Sequence, residues 1–428
     1  GLDFFCTTCV CVHKEHVHTL THNGVRVCFA NPGTSELMIC QALNDNSSIR
    51  IIPVLFEGVA TGACIGYGCM AELPAASLLH LSVGLSNGLA NLHNCKRSCA
   101  PTICIVGTHA TNHQYDHHLQ SNDIDIGNLA SSVSKMSKHT KDSTNLVRDC
   151  RDCLSTCMQH PRGVSTIMVS ADSAWAQAPS ELPQESIVFA NPRRCSDKAV
   201  SRAVEALLNA QARGESDRVL LLHGSRTVFN RSALEAAAKI ADHTGCRRAV
   251  PTFNGRISRG PSLPGSPNIP YMSDQQVQFL VDVNVLILVN AKIPCGFFAH
   301  PSDKKSGWTL PDDCLILQLV KEEDDGIDFL IRVADRLGAS PLSKKPLPVR
   351  EEAIAVAKQQ DPRQPLTPEA CSIILTAQSP DGFIMSNEGI TLGDRIRAGI
   401  ENYVHYEEVQ LVGGAIGQGL PVAIGAAV

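Results

Sequence analysis

Ile51 to Gly62, reading IIPVLFEGVATG, constrains this chain more than any other stretch. A run of β-branched and apolar residues, long enough for a buried parallel strand, ends in one carboxylate, Glu57. The small residues Gly58-Val59-Ala60-Thr61-Gly62 then open a helix. An acid at a strand-to-helix junction has two readings. It offsets the positive end of the helix macrodipole, or it is kept there for chemistry. The local residues leave both open.

The chain around it alternates in the same way. Val25–Ala30 reads as a strand, and Asn31-Pro32-Gly33-Thr34-Ser35-Glu36 as a turn feeding a helix with Thr34 or Ser35 as its cap. Further strands are expected at Ala76–Leu81, Thr102–Gly107 and Val164–Ser170. Asn87, Asn91 and Asn94 fall at helical spacing after the third strand and share one face. Strands alternating with helices predict an α/β fold, a parallel sheet covered on both sides. Residues 173 to 191, rich in Pro, Ser and Gln, read as a linker. A second α/β unit follows, with helices at Asp197–Ala212 and Ser232–Thr244 and strands at Val219–His223 and Val283–Val289. Its His223-Gly224-Ser225-Arg226 strand end lacks the G-x-G-x-x-G of a dinucleotide site. Residues 340 to 365 read as a second linker, after which helix Thr367–Gln378 and strand Gly382–Asn387 open a third unit.

At 428 residues the chain is long enough for two or three cores. A net charge of -5 with no basic block argues against nucleic acid as a partner. No apolar run is long enough to span a membrane and no signal-like leader is present, so a soluble, cytoplasmic protein is expected. The 18 cysteines are scattered through strands such as Thr102–Val106 and read as reduced core residues. Two clusters raise a metal reading. Cys6, Cys9 and Cys11 precede His13, His16 and His18 without a second knuckle. His109, His113, His117 and His118 sit in a polar loop without an H-E-x-x-H frame, which suits a solvated or substrate-facing loop better. Cys150 and Cys153 form a lone C-x-x-C in a charged helical segment, weak support for redox work.

Three further stretches decide between the readings of Glu57. VCFANPGTSEL at 27–37, LFEGVATGA at 55–63 and VGGAIGQGLPVAIGAAV at 412–428 resemble thiamine diphosphate enzymes, closest to acetolactate synthase-like large subunits and related to benzoylformate decarboxylase. LLHLSVGLSNGLANLHN at 78–94, THATNHQYD at 108–116 and LVNAKIPCGFFAHP at 288–301 extend the likeness. The resemblance implies a three-domain architecture: a pyrimidine-binding domain at 1–172, a linker at 173–195, a central domain at 196–340, a linker at 341–365 and an incomplete diphosphate-binding domain at 366–428, with the chain cut short at its C-terminal end. It further implies a homodimer or homotetramer whose active sites lie between the first domain of one subunit and the third of another.

Carried over, Glu57 holds the aminopyrimidine ring of thiamine diphosphate, its carboxyl buried among Leu55, Phe56 and Val59 so that its pKa rises. The implied reaction is decarboxylation of pyruvate or a similar 2-oxo acid through a cofactor ylide and enamine, as in branched-chain amino acid biosynthesis. Thr34 and His80 match substrate-contacting positions of the decarboxylase branch, with a helix cap and a packed strand-end histidine as the plain alternatives. Asn31, Gly33, Asn87, Gly413, Gly414 and Gly417 match cofactor-binding positions, and Ile416 matches the residue that wedges the cofactor into its bent form. His300 lies one residue from a second decarboxylase histidine. Mg2+ is implied, its ligands expected beyond Val428, so none is named here. FAD is not expected.

The chain departs from the family at Ile65, where an aspartate is usual, and at Ser82-Val83 and Ser86, where Gly-Pro and Gly are usual. Non-glycine residues at turns needing positive φ cost about 1 kcal/mol each. An acetolactate synthase-like carboligase is therefore the first expectation. A benzoylformate-type decarboxylase, or a non-catalytic truncated paralogue acting as an interaction protein, are the alternatives.

Overall fold

The computed structural model describes residues 11–113, 125–179, 186–299, 307–342, 350–359, 361 and 363–428. They form two compact units, residues 1–191 with 411–428, and residues 192–410.

The first unit is built on six parallel strands: β1 (Val27–Asn31), β2 (Arg50–Pro53), β3 (Ala75–His80), β4 (Thr102–Thr108), β5 (Met136–Thr140) and β6 (Val164–Ser170), in the order β2-β1-β3-β4-β6-β5. Strands β3, β4 and β6 are buried almost throughout, as their unbroken apolar and small residues require. Helices Val12–His22, Leu37–Asn44 and Ser143–Met158 supply Val17, Leu20, Ile39, Leu43, Leu146 and Leu154 to the core on one face. Helices Glu57–Ala71 and Leu81–Ser98 pack on the other.

Two strand expectations change. β2 stops at Pro53 and lies at the sheet edge, half-exposed. Val54 still donates its amide to the Ala30 carbonyl at 2.9 Å, and Leu55 and Phe56 leave the edge before the helix begins at Glu57. β5, Met136-Ser137-Lys138-His139-Thr140, carries no apolar alternation and escaped the sequence reading. It is an edge strand pinned through parallel pairing with β6.

Helix Gly419–Ala426 is apolar all round and packs on helix Glu57–Ala71 through a stripe of small residues. A Cβ on Gly66 would lie 2.0 Å from the Val422 carbonyl oxygen, and one on Gly425 1.8 Å from the Ala63 oxygen. The two backbones touch, which only glycine permits. Ile65, where the resemblance implies an aspartate, is fully buried.

The second unit has a four-stranded parallel sheet, β11-β10-β7-β8, made of β7 (Val219–His223), β8 (Arg247–Ala249), β10 (Val285–Val289) and β11 (Leu315–Val320). Helix Gly326–Arg336 buries Phe329, Leu330 and Val333, one stripe of a 3.6-residue period, and is capped by Asp325 accepting from the amides of Ile327 and Asp328. β12 (Phe383–Asn387) pairs in parallel with β13 (Tyr406–Gln410), which pairs antiparallel with β9 (Ile257–Arg259). Across that pair Arg259 Nε donates to Glu408 Oε2 at 2.7 Å, with both side chains nearly fully buried. His223 is buried and bonded to the hydroxyls of Thr227 and Ser266, so it closes the core rather than opening a nucleotide site. Arg350–Lys358, inside the stretch read as linker, is a helix.

Cys150, Cys153 and Cys157 line the buried side of helix Ser143–Met158, and burial raises all three thiols, that of Cys157 to about 12. A thiol held protonated is a poor nucleophile, which removes the redox reading of the C-x-x-C. Among the described residues no group of three or more His, Cys, Asp or Glu could hold a metal ion. Cys6, Cys9, His117 and His118 lie outside the described residues, while His13 and His16 are buried in the first helix. No described helix is long and apolar enough to cross a membrane.

Candidate active site

In the order β2-β1-β3-β4, the chain leaves β1 toward β2 and leaves β3 toward β4. The connections diverge between β1 and β3, and at such a switch point the loops at the strand carboxyl ends open a crevice. Asn31 stands beside Leu79 in the β1–β3 register, so the turn 31–36 and the segment from His80 onward flank that crevice. The sequence-predicted residues collect there for a topological reason.

The turn after β1 becomes a short 3-10 helix, Thr34–Glu36, with Gly33 in the cap position. Neither Thr34 nor Ser35 caps it. The Glu36 carboxylate reaches back instead, and Oε2 accepts the Gly33 amide at 2.7 Å. Thr34 is exposed at the head of this helix. Gly33 is pressed against His80, since a Cβ there would lie 2.4 Å from His80 Nδ1.

His80 ends β3 and precedes helix Leu81–Ser98. Leu81, fully buried, takes φ 56°, a left-handed conformation costing a branched side chain about 1 kcal/mol. Ser82, Val83 and Ser86 lie in the helix with ordinary φ, so the strain expected of them falls on Leu81.

Glu57 begins its helix with Phe56 in the cap position. Its Oε2 accepts Asn87 Nδ2 at 3.0 Å, and its Oε1 faces the bare Cα of Gly84, where a Cβ would stand 3.3 Å away. The expected apolar burial is absent within this chain. Leu55 is wholly exposed and Phe56 is 50% exposed, because the segment has already left the sheet edge. Glu57 itself is half-buried.

The three asparagines do share a face, and each has a task. Asn87 holds Glu57, Asn91 donates to the Gly58 carbonyl at 2.7 Å, and Asn94 donates to Asn91 Oδ1 and to the Ala415 carbonyl. The Ala415 amide returns a bond to Asn94 Oδ1, and a His93 ring nitrogen bonds the Gly413 carbonyl. One helix face thus runs from Glu57 to the glycine-rich segment over seven residues, about 10 Å. That segment belongs to the same chain's first unit. Gly414 and Gly417 have φ of 81° and 96°, and Ile416 between them is 79% exposed. His300 lies outside the described residues.

Sequence reasoning missed Glu36. It is fully buried at 0% exposure, and its Oε2 also meets His80 Nδ1 at 2.7 Å. The signal was available in Gly33-x-x-Glu36, a back-bonding acid just before an apolar run, but an acid in a first helical turn has an ordinary explanation.

This arrangement presents an acid, an imidazole and a glycine-lined loop around the mouth of a parallel sheet, on a fold and sequence that have known relatives. Residues 13–129 match the family model for the thiamine pyrophosphate enzyme N-terminal TPP binding domain. A protein of Mycobacterium tuberculosis named "Putative acetolactate synthase large subunit IlvX" is 32% identical over 416 residues, 96% of this chain and 75% of that protein. The thiamine diphosphate-dependent 4-hydroxybenzoylformate decarboxylase of Rhodococcus jostii RHA1 superposes with TM-score 0.74 at 19% identity, covering 97% of this chain and 78% of the other. Benzoylformate decarboxylase of Polynucleobacter necessarius gives 0.74 at 16%, covering 98% and 77%. By shared fold and by sequence along nearly its whole length, the chain belongs to the thiamine diphosphate enzymes, among those similar to acetolactate synthase large subunits.

Proposed function

We propose that the chain binds thiamine diphosphate with Mg2+ and acts on a 2-oxo acid, releasing carbon dioxide and passing the remaining fragment to a second 2-oxo acid, as an acetolactate synthase-like carboligase. The observation that carries this reading is Glu57. One of its carboxylate oxygens is tied to Asn87, and the other has no hydrogen-bond partner among the described residues and faces a glycine. A carboxylate fixed by one oxygen and open at the other suits a heteroaromatic ring nitrogen, and an aminopyrimidine is such a ring. Gly413 to Gly417, held by His93 and Asn94, would lie along it, with Ile416 projecting from the loop.

Bound thiamine diphosphate supplies a carbon nucleophile and an electron sink for decarboxylation. The protein's own part is to hold the ring through Glu57, to keep Glu57 aimed through Asn87, and to offer His80 and Thr34 toward the substrate. No Mg2+ ligand is assigned among the described residues. Leu55, Phe56 and Ile416, exposed around the site, would be covered by a second copy in a homodimer or homotetramer.

Calorimetric titration with thiamine diphosphate and Mg2+ tests the reading. The chain should bind, and Glu57→Gln should weaken binding at least tenfold. Equal binding by both, or none by either, overturns it. Simple decarboxylation is the second reading, favoured by the imidazole fixed at His80. Acetolactate formed from pyruvate supports the first reading, and benzaldehyde formed from benzoylformate the second.

A further inference from the structure

Glu36 makes a pair with His80 that the cofactor chemistry alone does not call for. Its carboxylate is fully enclosed, between the Gly33 amide and His80 on Oε2 and the bare Cα of Gly107 on Oε1, where a Cβ would come within 1.7 Å. Oε1 has no partner. Burying a carboxylate with one oxygen unpaired is costly, and burial pushes its pKa upward against the Gly33 and His80 bonds. A structural acid would use both oxygens. His80, by contrast, keeps 20% of its side chain exposed at the crevice mouth.

The Gly33 amide already donates to Oε2, and with Glu36 ionised Oε2 accepts from His80 Nδ1 as well. That fixes the imidazole as the Nδ1–H form with Nε2 left open. Gly33 closes one side of the ring, and the strained Leu81 turn sets the direction from which it enters. Cys40, one turn beyond Glu36, is the other titratable group near the carboxylate among the described residues, and burial raises its pKa to about 11, so it brings no opposing charge.

We propose that Glu36 is a positioning residue: through His80 Nδ1 it locks the imidazole in one tautomer, so that Nε2 is presented to the crevice as a proton acceptor, and as a donor once the ring is charged. The Nδ1 proton stays between His80 and Glu36, while a second proton moves between His80 Nε2 and the substrate oxygen or carbon that faces it, charging the ring when it is taken up and leaving it neutral when it is given back. That catalytic use rests on the function proposed above; the tautomer lock does not.

The test is nitrogen-15 NMR of histidine-labelled 428-residue chain without cofactor, at alkaline pH where a ring is neutral, with His80→Gln to assign the signal. The wild-type ring should show Nδ1–H and bare Nε2. Glu36→Met, of similar size but with no acceptor, should shift the ratio at least tenfold toward the Nε2–H form. A wild-type ring in the Nε2–H form overturns the proposal even if the variant fails to fold, and so does an unchanged ratio in a folded variant. Where turnover is measured, Glu36→Met should lower kcat at least tenfold and leave the half-saturating cofactor concentration within twofold; unchanged kcat removes the positioning role. A locked tautomer in a chain that binds no thiamine diphosphate would sink the proposed function and leave the lock standing.

Discussion

Asn94 is bonded to both backbone groups of Ala415: its Nδ2 donates to the carbonyl at 2.9 Å, and its Oδ1 accepts the amide at 3.2 Å. A side-chain amide pairing with a peptide in this way works as one rung of a sheet. It fixes the height of the glycine-rich loop over the helix that also holds Glu57.

Asn94→Ala should therefore cost about 1 kcal/mol, since it removes two bonds from a half-buried peptide. It should also make residues 413–417 the first site of limited proteolysis. His93→Ala, at the exposed neighbour, should change stability by no more than about 0.5 kcal/mol. Equal effects would show that the amide pair does not anchor the loop.

Gly66→Ala drives a methyl into the Val422 carbonyl and the Ala426 amide, both backbone atoms. A loss on the order of 3 kcal/mol is expected, seen as a lower Tm and easier proteolytic release of the C-terminal helix. Gly265→Ala, with nothing within 4 Å of the new methyl, should be silent. A tolerated Gly66→Ala would mean that the two helices are not in backbone contact.

Arg259 and Glu408 are both buried, at 5% and 0% side-chain exposure, with Asn387 donating to the second Glu408 oxygen. Glu408→Gln removes the nearest charge from the buried Arg259 guanidinium, which keeps Glu401 and Asn268, and should cost about 2 kcal/mol. An apolar pair replacing both should recover much of that, and chemical denaturation of the three variants would tell. If the single variant is as stable as wild type, the pair is solvated and the burial is wrong.

Acid should destabilise the chain above the ordinary carboxylate range. Burial lowers His16 to about 4 and His223 to about 3, so both are neutral in the folded state. Between about pH 6.5 and those values the unfolded chain binds protons that the native chain does not. Stability is thus complete above about 6.5 and falls below it by up to about 1.4 kcal/mol per pH unit for each group. Glu408 adds a loss lower down: burial pushes its carboxyl up, but Arg259, Asn387 and Arg397 together hold it below the usual range. His16→Leu, which removes two buried ring nitrogens without a partner among the described residues, should flatten the slope and leave neutral-pH stability equal or higher. An unchanged slope would mean that His16 is accessible to protons in the native chain.

Residues that act through short-range pattern were legible. The alternation predicted the parallel sheet of the first unit, and i, i+4, i+7 spacing put Asn87, Asn91 and Asn94 on one face. What escaped was set by partners distant in sequence. β5 is polar and exists because β6 offers it an edge, and β2 lost its expected burial by falling at the other edge. Glu36 looked like a helix-terminus acid until the fold brought His80, forty-four residues later, against it. The strain assigned to Ser82 and Val83 moved to Leu81 because the turn is one residue earlier than the glycine pattern suggested.

The backbone contact between Gly66 and Val422 also bears on how the molecule is made. The stripe on helix Glu57–Ala71 leaves the ribosome early, and the helix that covers it is synthesised only after the whole second unit. Until then the nascent first unit carries an open groove lined by small residues and backbone carbonyls, with a loop of more than three hundred residues still to close across it. A chain arranged in this way closes its first unit only after its second has been made, so the first unit's folding waits on a contact of very long sequence separation.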